Sequence, residues 1–169
     1  MMIVMAGLPG TGKSALCRAL VKHLGGAVLD KDLIRSTIFP EAYVEYSDAQ
    51  DDFCQSLMLQ TAAYLFERHP ELRIFLDGRT FSRRYQIENA IRAAGEMRVS
   101  WRVIECVCPE ETARQRLESE TAHPARNRTY DLYRRLRDRF EPITVPKLVV
   151  NTDRPLGECV AEAVAYLMP

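Results

Sequence analysis

The chain has 169 residues, 47% apolar and 27% charged, with 23 basic and 23 acidic side chains cancelling to zero formal charge. That is the composition of one globular domain long enough to bury a core, and it gives the chain as a whole no electrostatic pull toward nucleic acid or an anionic membrane. No run approaches the ~20 apolar residues that span a bilayer, and the first residues, lacking a basic segment and broken by Gly7 and Pro9, do not read as a signal peptide.

Met2 to Ala6 is an apolar run that predicts a buried strand. It feeds Gly7-Leu8-Pro9-Gly10-Thr11-Gly12-Lys13-Ser14, which fits the phosphate-binding pattern G-x-x-x-x-G-K-[ST] at every fixed position. Glycines let successive backbone N–H groups turn inward onto phosphate oxygens where a Cβ would block approach. Lys13 can then reach the β- and γ-phosphates, and the Ser14 hydroxyl can hold Mg²⁺. Leu16, Leu20 and Leu24 recur every four residues and Gly25 follows, so a helix is expected after the loop. Its N-terminus adds a positive dipole end to the anion site, with Leu16 on its first turn counted among the nucleotide-binding residues.

A second strand, Ala27 to Asp30, leads into Lys31-Asp32-Leu33-Ile34-Arg35. Asp32 and Arg35 are three apart, on one face of a helical turn. A capping aspartate with a local ion pair is one reading. A general base for an attacking hydroxyl, beside a phosphate loop, is the other. A P-loop followed by a strand ending in D-x-x-R resembles the small P-loop kinases, which include polynucleotide 5′-hydroxyl kinases, zeta-toxin-type kinases, chloramphenicol phosphotransferase and gluconate kinase. The resemblance implies that Asp32 activates the acceptor hydroxyl and that Arg35 helps to hold the acceptor. It also implies the P-loop NTPase fold, a three-layer α/β/α domain over residues 1–169.

From Ser36 to Glu67 there is no Lys or Arg, while Glu41, Glu45, Asp48, Asp51, Asp52 and Glu67 are acidic. Like charge there argues against a polyanion entering the acceptor side. Ser47-Asp48-Ala49-Gln50 predicts a capping box, opening a helix whose stripe Phe53, Leu57, Met58, Thr61, Ala62 and Leu65 reads as core packing. Tyr43, Tyr46 and Gln50 lie where similar kinases place the acceptor. The third strand, Ile74 to Asp77, is Walker-B-like, and Asp77 is read as orienting Mg²⁺ or contacting the acceptor. The following Asp-Gly-x-Thr resembles the D-x-T segment of the same kinases. Arg79, Arg83 and Arg84 begin a helix, with one of them expected to reach the acceptor or a phosphate.

A fourth strand is expected over Val99 to Cys108, with the sulfurs of Cys106 and Cys108 on one face. The odd number of cysteines, five, points to buried structural thiols in a reducing cytoplasm rather than to a disulfide framework. Pro109 starts a helix by the N1 rule, and residues 118–130 have the character of a lid. Similar kinases often carry R-L-x-x-R here, but the second arginine position is Glu120, so Arg126 and Arg128 become the arginines expected to cover the γ-phosphate. Arg114 or Arg116 suits stacking on adenine. Tyr130 to Phe140 reads as a solvated arginine-rich helix with ion pairs, or as a nucleic-acid patch.

The last strand, Leu148 to Asn151, is followed by a loop that lies against the base in similar kinases, making Asn151 and Asp153 nucleotide contacts by that resemblance. No guanine-reading N-K-x-D is present, which favours ATP. Five strands alternating with helices predict a parallel sheet covered on both faces. The expected activity is an ATP- and Mg²⁺-dependent phosphotransferase for a small-molecule hydroxyl. A polynucleotide 5′-hydroxyl kinase and an acceptor-free ATPase or switch are the alternatives.

Overall fold

A computed structural model describes residues 1–119 and 129–168. Five short strands, β1 (Met2–Ala6), β2 (Ala27–Asp30), β3 (Ile74–Asp77), β4 (Trp101–Val107) and β5 (Leu148–Asn151), form one sheet in the order β2-β3-β1-β4-β5. Every pairing is parallel, with Val4 opposite Leu76 on one side and Val103 on the other. β1 and β3 are buried at every residue, which is why they read as continuous apolar runs rather than alternating ones. β4 is shorter than the sequence suggests. Arg98 takes a left-handed turn (φ 56°) and the Val99 N–H is spent on Ala94 O, so the strand starts at Trp101. It stops before Cys108, whose successor Pro109 disfavours continuing the chain regularly.

The two faces of the sheet carry separate cores. Met2, Val4, Leu76 and Val103 pack with Met58, Ala62 and Phe66 of α3 (Asp48–Arg68) and with Ile87, Ala90 and Ala94 of α4 (Arg84–Glu96). Ile3, Met5, Phe75 and Ile104 pack with Leu16 and Leu20 of α1 (Lys13–Leu24) and with Cys159, Ala163 and Leu167 of α7 (Leu156–Leu167). The period of two along β1 thus divides its side chains between the layers. The expected three-layer α/β/α domain with a five-stranded parallel sheet is the observed fold. Between the layers and the strand ends lie α2 (Lys31–Ile38), α5 (Glu110–Ser119) and α6 (Tyr130–Asp138). The last two meet through Ala113, Leu117 and Tyr133. No helix among the described residues is long and apolar enough to cross a membrane.

α3 departs from its expected register. Its buried face is Cys54, Met58, Ala62 and Phe66, while Phe53 is 49% exposed. Gln50 and Gln55 share that buried face and mask the apolar period. The capping box is only half formed, too: the Ser47 hydroxyl accepts the Gln50 N–H, but the Gln50 side chain turns to the Glu45 N–H and the Tyr43 carbonyl.

Candidate functional site

The chain between β1 and α1 curls tightly against two neighbours. A Cβ on Gly7 (φ 131°) would stand 2.3 Å from the Cys106 carbonyl oxygen, and one on Gly10 would stand 2.6 Å from that of Ala113. Only glycine permits this approach, so the loop is pressed onto the end of β4 and onto α5. The Gly7 N–H donates to the Thr80 carbonyl (3.1 Å), tying the loop to the chain after β3. Lys13 is buried, its ammonium donating to the carbonyls of Gly7 (2.8 Å) and Leu8 (2.9 Å). The Thr11 hydroxyl donates to the Leu8 carbonyl (2.7 Å), which closes the curl between Leu8, Pro9 and Thr11.

Two cavities open on either side of this loop. The α7-side cavity, about 560 Å³, is lined by Gly10, Gly12, Lys13, Ser14, Leu16 and Arg18 and by Arg116, Thr152 and Arg154. Arg116 is fixed there, donating to Thr152 Oγ1 (3.1 Å) and Thr152 O (2.8 Å). Arg114 points elsewhere, pairing with Glu118 and lying over the Tyr130 ring. Position on α5 separates them: two residues apart, they face different sides of the helix. Asn151 and Asp153 do not line the cavity. Asn151 Oδ1 accepts the Asp153 N–H, and the Asp153 carboxylate accepts the Thr112 hydroxyl (2.8 Å). Thr152, between them, faces the loop and donates to the Thr11 carbonyl (2.8 Å). Nothing in the sequence singled it out.

The α2-side cavity is about 130 Å³ and brings together Lys13, Ser14, Lys31, Asp32, Arg35, Tyr46, Asp51, Arg79 and, from α6, Leu132, Leu136 and Arg139. Its wall is a lattice of buried charge. Arg35 Nη1 donates to Asp32 Oδ1 (2.7 Å), and Lys31 Nζ stands 3.1 Å from the same oxygen. Lys31 also binds Asp51 (3.0 Å), Arg35 Nη2 pairs with Asp51, and the Arg35 guanidinium lies over the Tyr46 ring. Burial pushes the Lys31 ammonium below its ordinary range, and the carboxylate of Asp32 counters that shift. Arg79 is held by Gln55, by the Asp51 carbonyl and by Asp52. Asp32 and Arg35 are therefore paired as their spacing predicts. Asp51 and Lys31 belong to the same cluster and were not singled out by sequence. Arg79 is buried, whereas Arg83 is half-buried and bound to Glu141, and α4 begins only at Arg84.

Residues 2–143 match the AAA domain family. The chain belongs to that family. The AAA domain described here shares its fold with several solved kinases, as the P-loop and D-x-x-R segments led one to expect. A putative kinase from Chloroflexus aurantiacus is 21% identical, with a TM-score of 0.73, over 98% of this chain and 94% of that one. A gluconokinase from Sinorhizobium meliloti is 18% identical, with a TM-score of 0.73, over 98% and 90%. An APS kinase from Mycobacterium tuberculosis, in complex with AMPPNP and APS, is 17% identical with a TM-score of 0.75, over 99% and 97%. No protein of curated function matches at the level of sequence.

In this AAA domain, Asp77 ends β3 opposite Asp30, and it is 2% exposed with Oδ1 lacking any hydrogen-bond partner among the described residues. A buried, unpaired carboxylate oxygen next to the P-loop fits a cation. Asp30 is instead occupied as the cap of α2, accepting the N–H groups of Asp32 (2.8 Å) and Leu33 (3.2 Å). Burial and the neighbouring Asp77 push its carboxyl above the usual range. Arg126, Arg128 and residues 120–128 of the expected lid lie outside the described residues. On α6, Leu132 and Leu136 face the cavity and Tyr133 is buried, while Arg134 and Arg135 face solvent. Charge balance in the fold also revises the expectation of an acidic acceptor side, because Asp51 and Asp52 are engaged by Lys31, Arg35 and Arg79.

Proposed function

We propose that the protein is an ATP- and Mg²⁺-dependent phosphotransferase that moves the γ-phosphate to a hydroxyl of a small molecule. One observation carries the reading: Lys13 and Ser14 line both cavities. Phosphoryl transfer needs donor and acceptor to approach in line across one point, where a cation meets the migrating group. A nucleotide in the α7-side cavity, phosphates on the loop amides, would present its γ-phosphate at that point. The α2-side cavity has room for a ligand of on the order of ten water-sized atoms, which favours a small acceptor. The kinases of like fold, one of them bound to AMPPNP and APS, support the same reading.

Asp32 is the general base of this scheme. Both of its cationic partners fall on Oδ1, so Oδ2 remains for the acceptor hydroxyl. The acceptor oxygen forms a bond to the γ-phosphorus as the bond to the bridging oxygen of ADP breaks, and its proton passes to Asp32. Arg35 and Lys31 hold the carboxylate in place and keep it ionised. Lys13 leaves the Gly7 and Leu8 carbonyls for the phosphate oxygens, exchanging neutral acceptors for charged ones. Ser14 and Asp77 are the residues that would hold Mg²⁺, which when bound offsets phosphate charge. Arg126 and Arg128 are proposed to complete the screening from the lid, and Arg116 to face the base.

An acceptor screen with γ-labelled ATP and Mg²⁺, run on wild type and Asp32→Asn together, tests this. Label on a small molecule, lost in the variant, is expected. Label only on a 5′-hydroxyl oligonucleotide would replace the acceptor class. Free phosphate released equally by both proteins would overturn the scheme.

A further inference from the structure

We infer that the acceptor carries a negative charge, a carboxylate or phosphate group, and that Arg79 is its principal anchor. The inference rests on the phosphotransferase reading and deepens it. Arg79 lines the α2-side cavity and is 3% exposed, yet its Nε–H has no hydrogen-bond partner among the described residues. Arg35, 2% exposed on the same wall, also leaves its Nε–H without one. Two orphaned guanidinium donors on one small cavity are costly in an empty site, since a buried donor without an acceptor loses its hydration uncompensated. A ligand with anionic oxygens removes that cost, and the planar guanidinium fork suits such a group.

The charge count of the wall agrees. Lys13, Lys31, Arg35, Arg79 and Arg139 face Asp32, Asp48 and Asp51 across it. Asp32 and Asp51 are already bound to Lys31 and Arg35, and Asp52, outside the wall, serves Arg79 through Nη2. The positive surplus that remains is unsuited to a neutral polyol. Arg79 follows β3 in the segment tied to the loop by Thr80, so its anchor point is fixed relative to the γ-phosphate position.

The test pairs each acid with its neutral counterpart: gluconate with sorbitol, glycerate with glycerol, glucose 6-phosphate with glucose. Melting temperature is followed with AMPPNP and Mg²⁺ saturating the P-loop, so that anions cannot register there. Transfer from ATP is followed in parallel. At least one acid should raise the melting temperature and be phosphorylated in preference to its neutral partner. Arg79→Gln should raise KM for that acid roughly ten- to hundredfold while removing the preference. Arg79→Lys, which keeps the charge if Arg79→Gln fails to fold, should raise KM less. Arg92→Gln, on the outer face of α4, should leave both unchanged. Neutral partners used as well as acids would overturn the inference and leave the phosphotransferase intact. An acid that stabilises the AMPPNP-loaded protein with no transfer to any acceptor would support the anionic site and count against the phosphotransferase. No stabilisation by any acid would overturn the inference.

Discussion

The α7-side cavity takes much of its lining from one continuous stretch, Gly10 to Arg18, whereas the α2-side cavity draws on α2, α3, the turn after β3 and α6. The first carries Lys13, Arg18, Arg116 and Arg154 with no carboxylate beside them. The second interlocks cations and carboxylates so that each charge depends on the next. Backbone geometry makes the former, and it fails when a Cβ is added. Mutual pairing makes the latter, and it fails through its neighbours.

Asp32→Asn is expected to have the largest effect. It should lower kcat roughly 10²–10⁴-fold with ATP affinity nearly intact, because it removes the base and leaves the other cavity alone. Equal loss of ATP binding, measured by titration calorimetry, would make Asp32 structural and erase the distinction. Arg35→Ala tests the interlocking itself. It strands Asp32 and Asp51 on Lys31, and breaking one member of a buried ionic cluster typically costs about 3–5 kcal/mol. For a chain of this size Tm should fall by roughly 6–20 °C. A drop of only a degree or two would show that the cluster relaxes freely.

Arg116→Ala should weaken nucleotide binding roughly tenfold without changing KM for the acceptor. Arg114→Ala, two residues away and turned toward Glu118 and Tyr130, should change neither. Loss of acceptor binding in Arg116→Ala would mean that the cavities are coupled rather than separate. The smallest effect is expected at Asp30, held above the usual carboxylate range by burial and by Asp77. A carboxyl whose pKa is raised on folding binds its proton preferentially in the folded chain. It therefore adds stability as pH falls from that raised value toward 3.8, and costs stability above it. Asp30→Asn keeps the cap of α2. Its melting advantage over wild type should be greatest at neutral pH and shrink as pH falls. An advantage that grew on acidification would contradict the raised pKa.

The same contrast explains what could be read from the sequence. The P-loop was legible because its residues are consecutive and each has one purpose, and all five strands were legible because burial on both faces makes their runs apolar. Asp32 with Arg35 was legible as a pair three residues apart. Asp51 was hidden among acids that seemed to make that side repulsive, since its partners Lys31 and Arg35 come from another helix. Arg79 looked like one of three arginines opening a helix, and only the fold buries it. Thr152 sits between two residues that seemed better suited to the base, and the direction of a side chain in a loop after a strand has no periodic signature. On α3, buried glutamines that serve Arg79 and the Gln86 carbonyl rotated the apolar stripe away from its expected place.

The wall between the cavities has a consequence for how such a protein can change its chemistry. Lys13 and Ser14 belong to both sides at once, so any alteration there to suit a different acceptor is also felt by the nucleotide. Room for diversification lies at the opposite edge, where Tyr46, Leu132, Leu136 and Arg139 meet the cavity without touching the P-loop side. A library confined to those four positions explores new acceptors at a fixed donor, and the reach of that search ends where the shared lysine begins.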